Sequence, residues 1–286
     1  IKPISKETFI LSNNWFMMFY LITVFVGTIY PIFTQVLFDA KISVGPPFYN
    51  AVIAPIIIPF LILMAVGPKI GWIKHKYENK KSIILVMILS CIINFLIFIF
   101  LKSYNILSNL IIISSLFLII FSLKNFILSV KLKRYFNISS FLSHLGFGAL
   151  IFFIILNHNF SKEYDLNIKV GETKKFENIL IKFQDLKIEN RKNYNAVVGN
   201  FNIHDLEKNY QKNLRPEIRV YDKPETLTFE TAIISNLRRD LYITMSNIDG
   251  SEFYNVKFQI KPFMLWIWLT AFLTASGSLT RIFLRK

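Results

Sequence analysis

The chain has 286 residues, of which 53% are apolar and 16% aromatic, with a mean hydropathy of +0.44; this exceeds the roughly 45–50% apolar content of ordinary soluble domains and excludes a wholly soluble protein. A net charge of +15 would point to nucleic acid in a soluble chain. Here the segment from His158 to Lys261 holds 17 Lys+Arg against 15 Asp+Glu, so the excess positive charge flanks the apolar remainder instead.

Six runs are uncharged and long enough for a bilayer crossing, which takes about 20 residues at 1.5 Å each. They are Thr8–Phe38, Ile42–Pro68, Ser82–Leu101, Ser103–Leu123, Tyr135–Ser161 and Pro262–Thr280. The first is too long, and lacks the small-residue cleavage site, for a removable signal peptide. Pro46, Pro47, Pro55 and Pro59 interrupt the second, which predicts kinks or a partly re-entrant entry. The Gly45-Pro46-Pro47 step before it predicts a rigid, non-helical turn. At the other end of the chain, Trp266 and Trp268 read as interfacial anchors of the last span.

Lys and Arg are retained on the cytoplasmic side of a membrane. Lys2, Lys6, Lys69, Lys74, Lys76, Lys80, Lys81, Lys124, Lys131, Lys133, Arg134, Arg281, Arg285 and Lys286 lie on one side of the six spans, and only Lys41 and Lys102 on the other. Both termini are therefore expected inside. The hydrophilic insert is expected outside, in the periplasm or the mitochondrial intermembrane space.

Within the insert the period is two rather than 3.6. Ile179–Phe183, Ile218–Tyr221, Thr226–Phe229 and Leu241–Met245 read as strands, with turns at Asn190–Asn195 and Asn247–Gly250. Its near-neutral balance argues against polyanion binding. The predicted fold is an α-helical integral membrane protein of about six transmembrane helices, with one small external β domain inserted before the last helix. The divisions are 1–157 for the five-helix membrane region, 158–261 for the β domain, and 262–286 for the final helix and tail.

Ionisable residues inside a span are costly and are functional candidates by default. Only His144 qualifies, with Ser140 and Gly148 at i−4 and i+4 on its own helical face. Small residues above and below an imidazole leave a flat slot, as a macrocycle needs if the histidine is its axial ligand. The same pattern also suits a neutral histidine hydrogen-bonded across a tight helix interface. His75 falls in a lysine-rich loop, His158 at the outer end of a span and His204 in the β domain, and all three read as solvated or interfacial. Cys91 is the one cysteine, which excludes an intrachain disulfide, a CxxC pair and a cysteine zinc site. With no nucleotide, hydrolase or metalloprotease motif either, enzyme chemistry contained in this chain alone is not expected.

Several stretches in this order carry a resemblance: Ser5-Lys6-Glu7, Gly27-Thr28-Ile29-Tyr30-Pro31, Lys41–Asn50, Ser143-His144-Leu145-Gly146-Phe147, Arg239-Asp240-Leu241-Tyr242, and Lys261-Pro262-Phe263 leading to Trp266 and Trp268. Together they resemble the C-terminal half of CcmF, the membrane haem lyase family of cytochrome c maturation, across essentially the whole chain. The resemblance implies a subunit binding a b-type haem (haem b) in the membrane, with His144 as an axial ligand of the iron, and helping to attach haem to apocytochrome c. It further implies the haem chaperone CcmE and a CcmH-type thiol partner, in the bacterial or mitochondrial inner membrane.

Some family features precede the matched region: the tryptophan-rich WWD segment, two external histidines and a second intramembrane histidine. This implies an N-terminal half of CcmF as partner. Starting at Ile1, the chain is expected to be a fragment or one product of a split or truncated gene. The family's Ser-Arg-Glu is Ser5-Lys6-Glu7 here, which keeps the charge and loses bidentate donation. The competing reading is a membrane scaffold, or a truncated and inactive fragment, that docks partners through the β domain without haem. A small-molecule transporter is disfavoured by spans without charged or repeat-related residues.

Overall fold

The computed structural model describes residues 5–40, 42–70, 80–101, 105–133, 137–207, 210–248 and 250–283. His75, Lys41, Lys102, Lys2, Lys74, Lys76, Arg134, Arg285 and Lys286, named above, lie outside the described residues. Two compact units form, one of Ile1–Ile155 with Trp266–Lys286 and the other of Leu156–Leu265.

The helices of the first unit begin and end for local reasons. Helix α1 (Lys6–Phe38) opens at Ser5, whose hydroxyl accepts from the Thr8 amide at 3.4 Å, and closes at Asp39 with a left-handed φ of 53°. Helix α2 (Pro46–Val66) starts on the two prolines themselves. The expected non-helical turn is corrected here: a proline in the first helical turn gives up an amide that has no intrahelical partner anyway, and its fixed φ suits the helix. Pro55 and Pro59 lie inside a continuous 21-residue helix, long enough to cross at about 30 Å, so the re-entrant expectation is also corrected.

Helix α3 (Lys80–Leu101) is followed by α4 (Ile106–Lys131), which opens on Asn105, its side chain accepting from the amides of Leu107 and Ser108. α4 runs eight residues past the expected end at Leu123, because lysines are good helix formers and Lys124 donates to Ser82 at the start of α3. Helix α5 (Ile138–Phe160) and helix α6 (Met264–Phe283) complete the set.

Helices α1 to α5 are each long and apolar enough to span a membrane. α6 has 20 residues and is more polar, carrying Thr270, Thr274, Ser276, Thr280 and Arg281, with the first four hydroxyls donating to carbonyls three or four residues back. The centre of the unit is the buried cluster of Ile57, Phe60 and Leu61 from α2 with Ile111, Phe117, Leu118 and Phe121 from α4. Phe16 and Tyr20 of α1 and Phe147 of α5 meet the Phe60 ring edge-on. The chain is thus a multi-pass helical membrane protein with a β domain before its last helix.

The second unit is two antiparallel sheets. One has the order β1-β10-β9-β8 (Lys162–Ile168, Tyr254–Pro262, Arg239–Asn247, Ala232–Ser235). The other has β2-β3-β4-β6-β7 (Thr173–Phe176, Ile179–Asn190, Tyr194–Asp205, Glu217–Asp222, Glu225–Glu230), with β5 (Tyr210–Leu214) also pairing β4. Alternate residues of facing strands fill one core, in which the Phe183 and Phe201 rings stack at 4.3 Å. All four strands expected from the sequence are present. The first and last strands are neighbours, with Lys162 opposite Ile260. Asn157 Nδ2 donates to the carbonyl of Pro262, the last residue of β10, at 2.5 Å.

Candidate functional site

A cavity of about 560 Å³ opens where α1 and α5 begin and α2 and α6 end, within the ~300–1,000 Å³ span typical of small-molecule pockets. Phe9, Ile10, Leu63, Met64 and Pro68 form its apolar walls. Lys6, Asn13, Asn137, Ser140, His144 and Arg281 supply its polar atoms. Lys6 and Arg281 mark the cavity as lying at the helix ends.

Local capping sets the depth of His144. Asn137 Oδ1 accepts from the Ser140 amide at 3.1 Å and starts α5 there. His144 follows seven residues later, roughly 10 Å along the axis. Its side chain is partly buried, and among the described residues none hydrogen-bonds the imidazole.

Small residues on α5 and α6 bring in Arg281. Ser139 donates to the Gly277 carbonyl at 2.6 Å, while a Cβ on Gly277 would lie 2.5 Å from the Ser143 amide nitrogen. Gly146 faces Thr274 as tightly, its hypothetical Cβ 2.7 Å from that residue's backbone. With the backbones this close, Arg281, one turn beyond Gly277, reaches the cavity.

Of the two small residues expected to flank a slot beside His144, one lines the cavity and the other does not. Ser140 lines the cavity, but Gly148 packs on α4, where a Cβ would already meet Leu118 and Ile119 at 3.1–3.2 Å. Glycine there serves helix packing. Lys6 and Arg281 were not legible as site residues, being 275 positions apart. The one signal was that each is the charge flanking a span on the side where the His144 helix begins.

The other histidines lie elsewhere. His158 is exposed near the far end of α5, and His204 is on β4 opposite Leu180 and Gln211. Among the described residues no group of three or more His, Cys, Asp or Glu side chains could hold a metal ion. A donor set of one imidazole beside an apolar, cation-edged cavity fits a group that brings its own equatorial ligands and needs one axial nitrogen.

The β unit has its own polar cluster. Arg239 Nη2 donates to Asp205 Oδ2 at 2.6 Å, tying β9 of one sheet to the end of β4 in the other. Beside it, Lys261 lies 5.0 Å over the Tyr242 ring. Burial first, and then the neighbouring Asp240 carboxylate, push the Tyr242 hydroxyl above the ordinary phenol range. This is a structural brace.

Residues 159–262 match the family model described as the CcmF C-terminal beta-sandwich. Along nearly the whole chain, similarity runs to the cytochrome c-type biogenesis protein CcmF of Haemophilus influenzae, 28% identical over 99% of this chain and 45% of that protein. The CcmF of Escherichia coli K12 is 24% identical over 98% of this chain and 44% of its own length. A solved structure described as the cytochrome c heme lyase CcmF superposes with a TM-score of 0.76 at 19% identity, over 98% of this chain and 46% of that one, a likeness of fold. The chain therefore resembles the C-terminal part of CcmF and spans about 45% of the length of the curated relatives it matches.

Proposed function

We propose that this chain, similar from end to end to the C-terminal part of CcmF, serves in c-type cytochrome maturation as the C-terminal portion of a haem lyase complex. In this reading His144 is one axial ligand of a b-type haem held in the cavity. The observation that carries it is the partly buried imidazole in the cavity wall, without a hydrogen-bond partner among the described residues. The rival reading is a neutral packing histidine, whose replacement would leave the haem spectrum unchanged.

When bound, a haem would supply one-electron redox chemistry at its iron. The imidazole offers a lone pair, Phe9, Ile10, Leu63 and Met64 give the cavity apolar walls, and α5 carries the imidazole. Among the described residues His144 is the histidine that lines the cavity, so a second histidine for such a group would have to come from another polypeptide. The partners fitting this reading are an N-terminal half of CcmF with its WWD segment, a CcmH-type thiol protein, the chaperone CcmE and apocytochrome c. The charge bias supports a β domain outside the bacterial inner membrane, or on the equivalent mitochondrial face.

The test is the haem absorption spectrum of the chain combined with a polypeptide carrying the missing N-terminal half. His144→Ala abolishes the low-spin bis-histidine spectrum and cytochrome c maturation, while His204→Ala leaves both nearly intact. A full spectrum and maturation in His144→Ala would make the histidine a packing residue and overturn the reading.

A further inference from the structure

Along one flank of the β unit an apolar face stands open. In the hairpin of β6 and β7, Ile218 lies opposite Phe229, Val220 opposite Leu227 and Asp222 opposite Glu225. Directly opposed and alternate residues of paired strands share a face, and here it is the face that carries Ile218 into the core between the sheets. Toward the hairpin turn that core gives out, leaving Val220, Leu227 and Phe229 38%, 51% and 44% exposed. Apolar side chains clustered in this way on a hydrophilic domain mark a contact surface.

The apolar rows end in charge. Asp222 and Glu225 set like charges directly opposite each other, an arrangement that costs stability. Among the described residues no ion pair reaches either carboxylate. The other end of the hairpin opposes Glu217 to Glu230 in the same manner, but there Arg219 pairs with both, at 2.7 and 3.7 Å. A cation is thus supplied at one end and wanting at the other.

β7 is also an open edge. It ends the order of its sheet, and its six residues contain no proline, lysine or bulge, the devices that keep edge strands from pairing with other chains. The remaining edges are guarded: β1 carries Lys162, β2 carries Lys174 and Lys175, β5 carries Lys212, and β8 has only four residues.

We propose that β7 is a docking edge for an extended segment of a polypeptide partner, which adds as a strand antiparallel to β7 and sets apolar side chains beside Phe229 and Leu227 and a lysine or arginine beside Glu225. Strand addition satisfies the backbone groups of the edge, while the alternate side chains supply the choice of partner. Every strand pair of the unit is antiparallel, and antiparallel addition requires the order apolar, any, apolar, any, cation along the partner. A second copy fits poorly, because its own β7 brings further carboxylates to an edge that lacks a cation. Nothing in this site depends on haem.

The test follows a fluorescein-labelled peptide, Thr-Ile-Thr-Val-Thr-Lys-Thr, by anisotropy on the full chain held in phosphatidylcholine nanodiscs. It binds at least about threefold tighter than the analogue with glutamate in place of lysine, and the gap narrows with added salt. Asp222→Lys with Glu225→Lys reverses the preference, and Leu227→Thr with Phe229→Thr abolishes binding of both peptides. Methylating the peptide's backbone nitrogens at isoleucine and valine, or at the threonines between them, keeps the side chains and blocks one of its two pairing edges; one of the two sets abolishes binding.

No binding of the lysine peptide up to about 1 mM overturns the docking edge, as do equal binding of the lysine and glutamate peptides and indifference to both sets of methylation. Self-association that Leu227→Thr with Phe229→Thr removes would give the edge to a second copy. Quenching of Phe229→Trp by brominated phosphatidylcholine, beyond that of the unaltered protein, would give it to lipid, and either result overturns strand addition. Should the threonine variant not fold, the charge reversal at the exposed Asp222 and Glu225 still decides.

Discussion

The Ser139 hydroxyl donates to the Gly277 carbonyl across 2.6 Å, and this contact fixes α6 against α5 where the cavity opens. A hydroxyl on one helix and an absent side chain on the other let two backbones approach closely. Arg281 faces the cavity as a consequence of that approach.

Substitutions along this seam should therefore rank by backbone clash more than by lost hydrogen bonding. Ser139→Ala removes one interhelical bond, worth about 0.6 kcal/mol on average in membrane helices. Gly277→Val and Gly146→Val force α6 off α5, because a Cβ at either position meets backbone at 2.5–2.7 Å. Thermal unfolding in detergent should show little change for the first and a clear drop for the other two. Equal melting of all three would mean that the seam is not close-packed.

The β unit should fold alone when residues 159–262 are expressed, with circular dichroism dominated by strand. Beginning at Asp165 instead removes Lys162, Glu163 and Tyr164 from their pairing with Ile260, Gln259 and Phe258, and this shorter polypeptide should melt at a lower temperature. A mainly helical spectrum of 159–262 would contradict the architecture.

Its stability should also fall in acid. Glu163 is held below the usual carboxylate range chiefly by its hydrogen bond from Lys257, and Glu177 chiefly by that from Lys162. A carboxylate lowered in the folded state stabilises above its unfolded pKa and loses that contribution as pH drops through the folded value. The loss therefore begins below roughly pH 5 and deepens toward the lowered values. Both pairs are about half exposed, so the effect is modest and weakened by salt. Glu163→Gln with Glu177→Gln should flatten the dependence of melting temperature on pH between 3 and 5, and an unchanged slope would remove these two groups from the explanation.

Breaking the brace between the sheets should be asymmetric. Asp205 has a 6% exposed side chain and Arg239 a 25% exposed one. Arg239→Ala strands a buried carboxylate and should cost about 3 kcal/mol or more, whereas Asp205→Ala leaves a cation that can still reach water and should cost less. Urea unfolding of both variants decides, and a reversed order would mean that Arg239 is not the counter-charge Asp205 depends on.

Topology is tested by reporter fusions. Alkaline phosphatase joined at Asn213 should be active and at Lys131 inactive, following the bias of Lys and Arg to the cytoplasmic side. The opposite pattern reverses the orientation.

The helices were legible because uncharged runs of membrane length have few other uses, and the strands where β-branched and aromatic residues alternate. What stayed hidden has physical reasons. The central strand β4 carries Asn195, Asn200, Asn202 and Gly199, all turn formers, yet Gly199 is required because a Cβ would meet Met245 Sδ and the Phe201 ring at 2.8 Å. Lysines within helical reach of a partner do not end a helix, which is why α4 outlasts its apolar run. His144 was visible from local spacing, but the cations sharing its cavity were not, since only the packing of α6 on α5 carries Arg281 to a position near Lys6.

The pairing of Lys162 with Ile260 makes entry to and exit from the sandwich hydrogen-bonded neighbours. A module whose two ends lie side by side is a graft: its strands close on themselves, and its host need supply only a short gap between two helices. Such a unit can be lifted out, exchanged with that of a relative, or replaced by a tight hairpin without rethreading the chain. Such an exchange leaves the order of the helices unchanged.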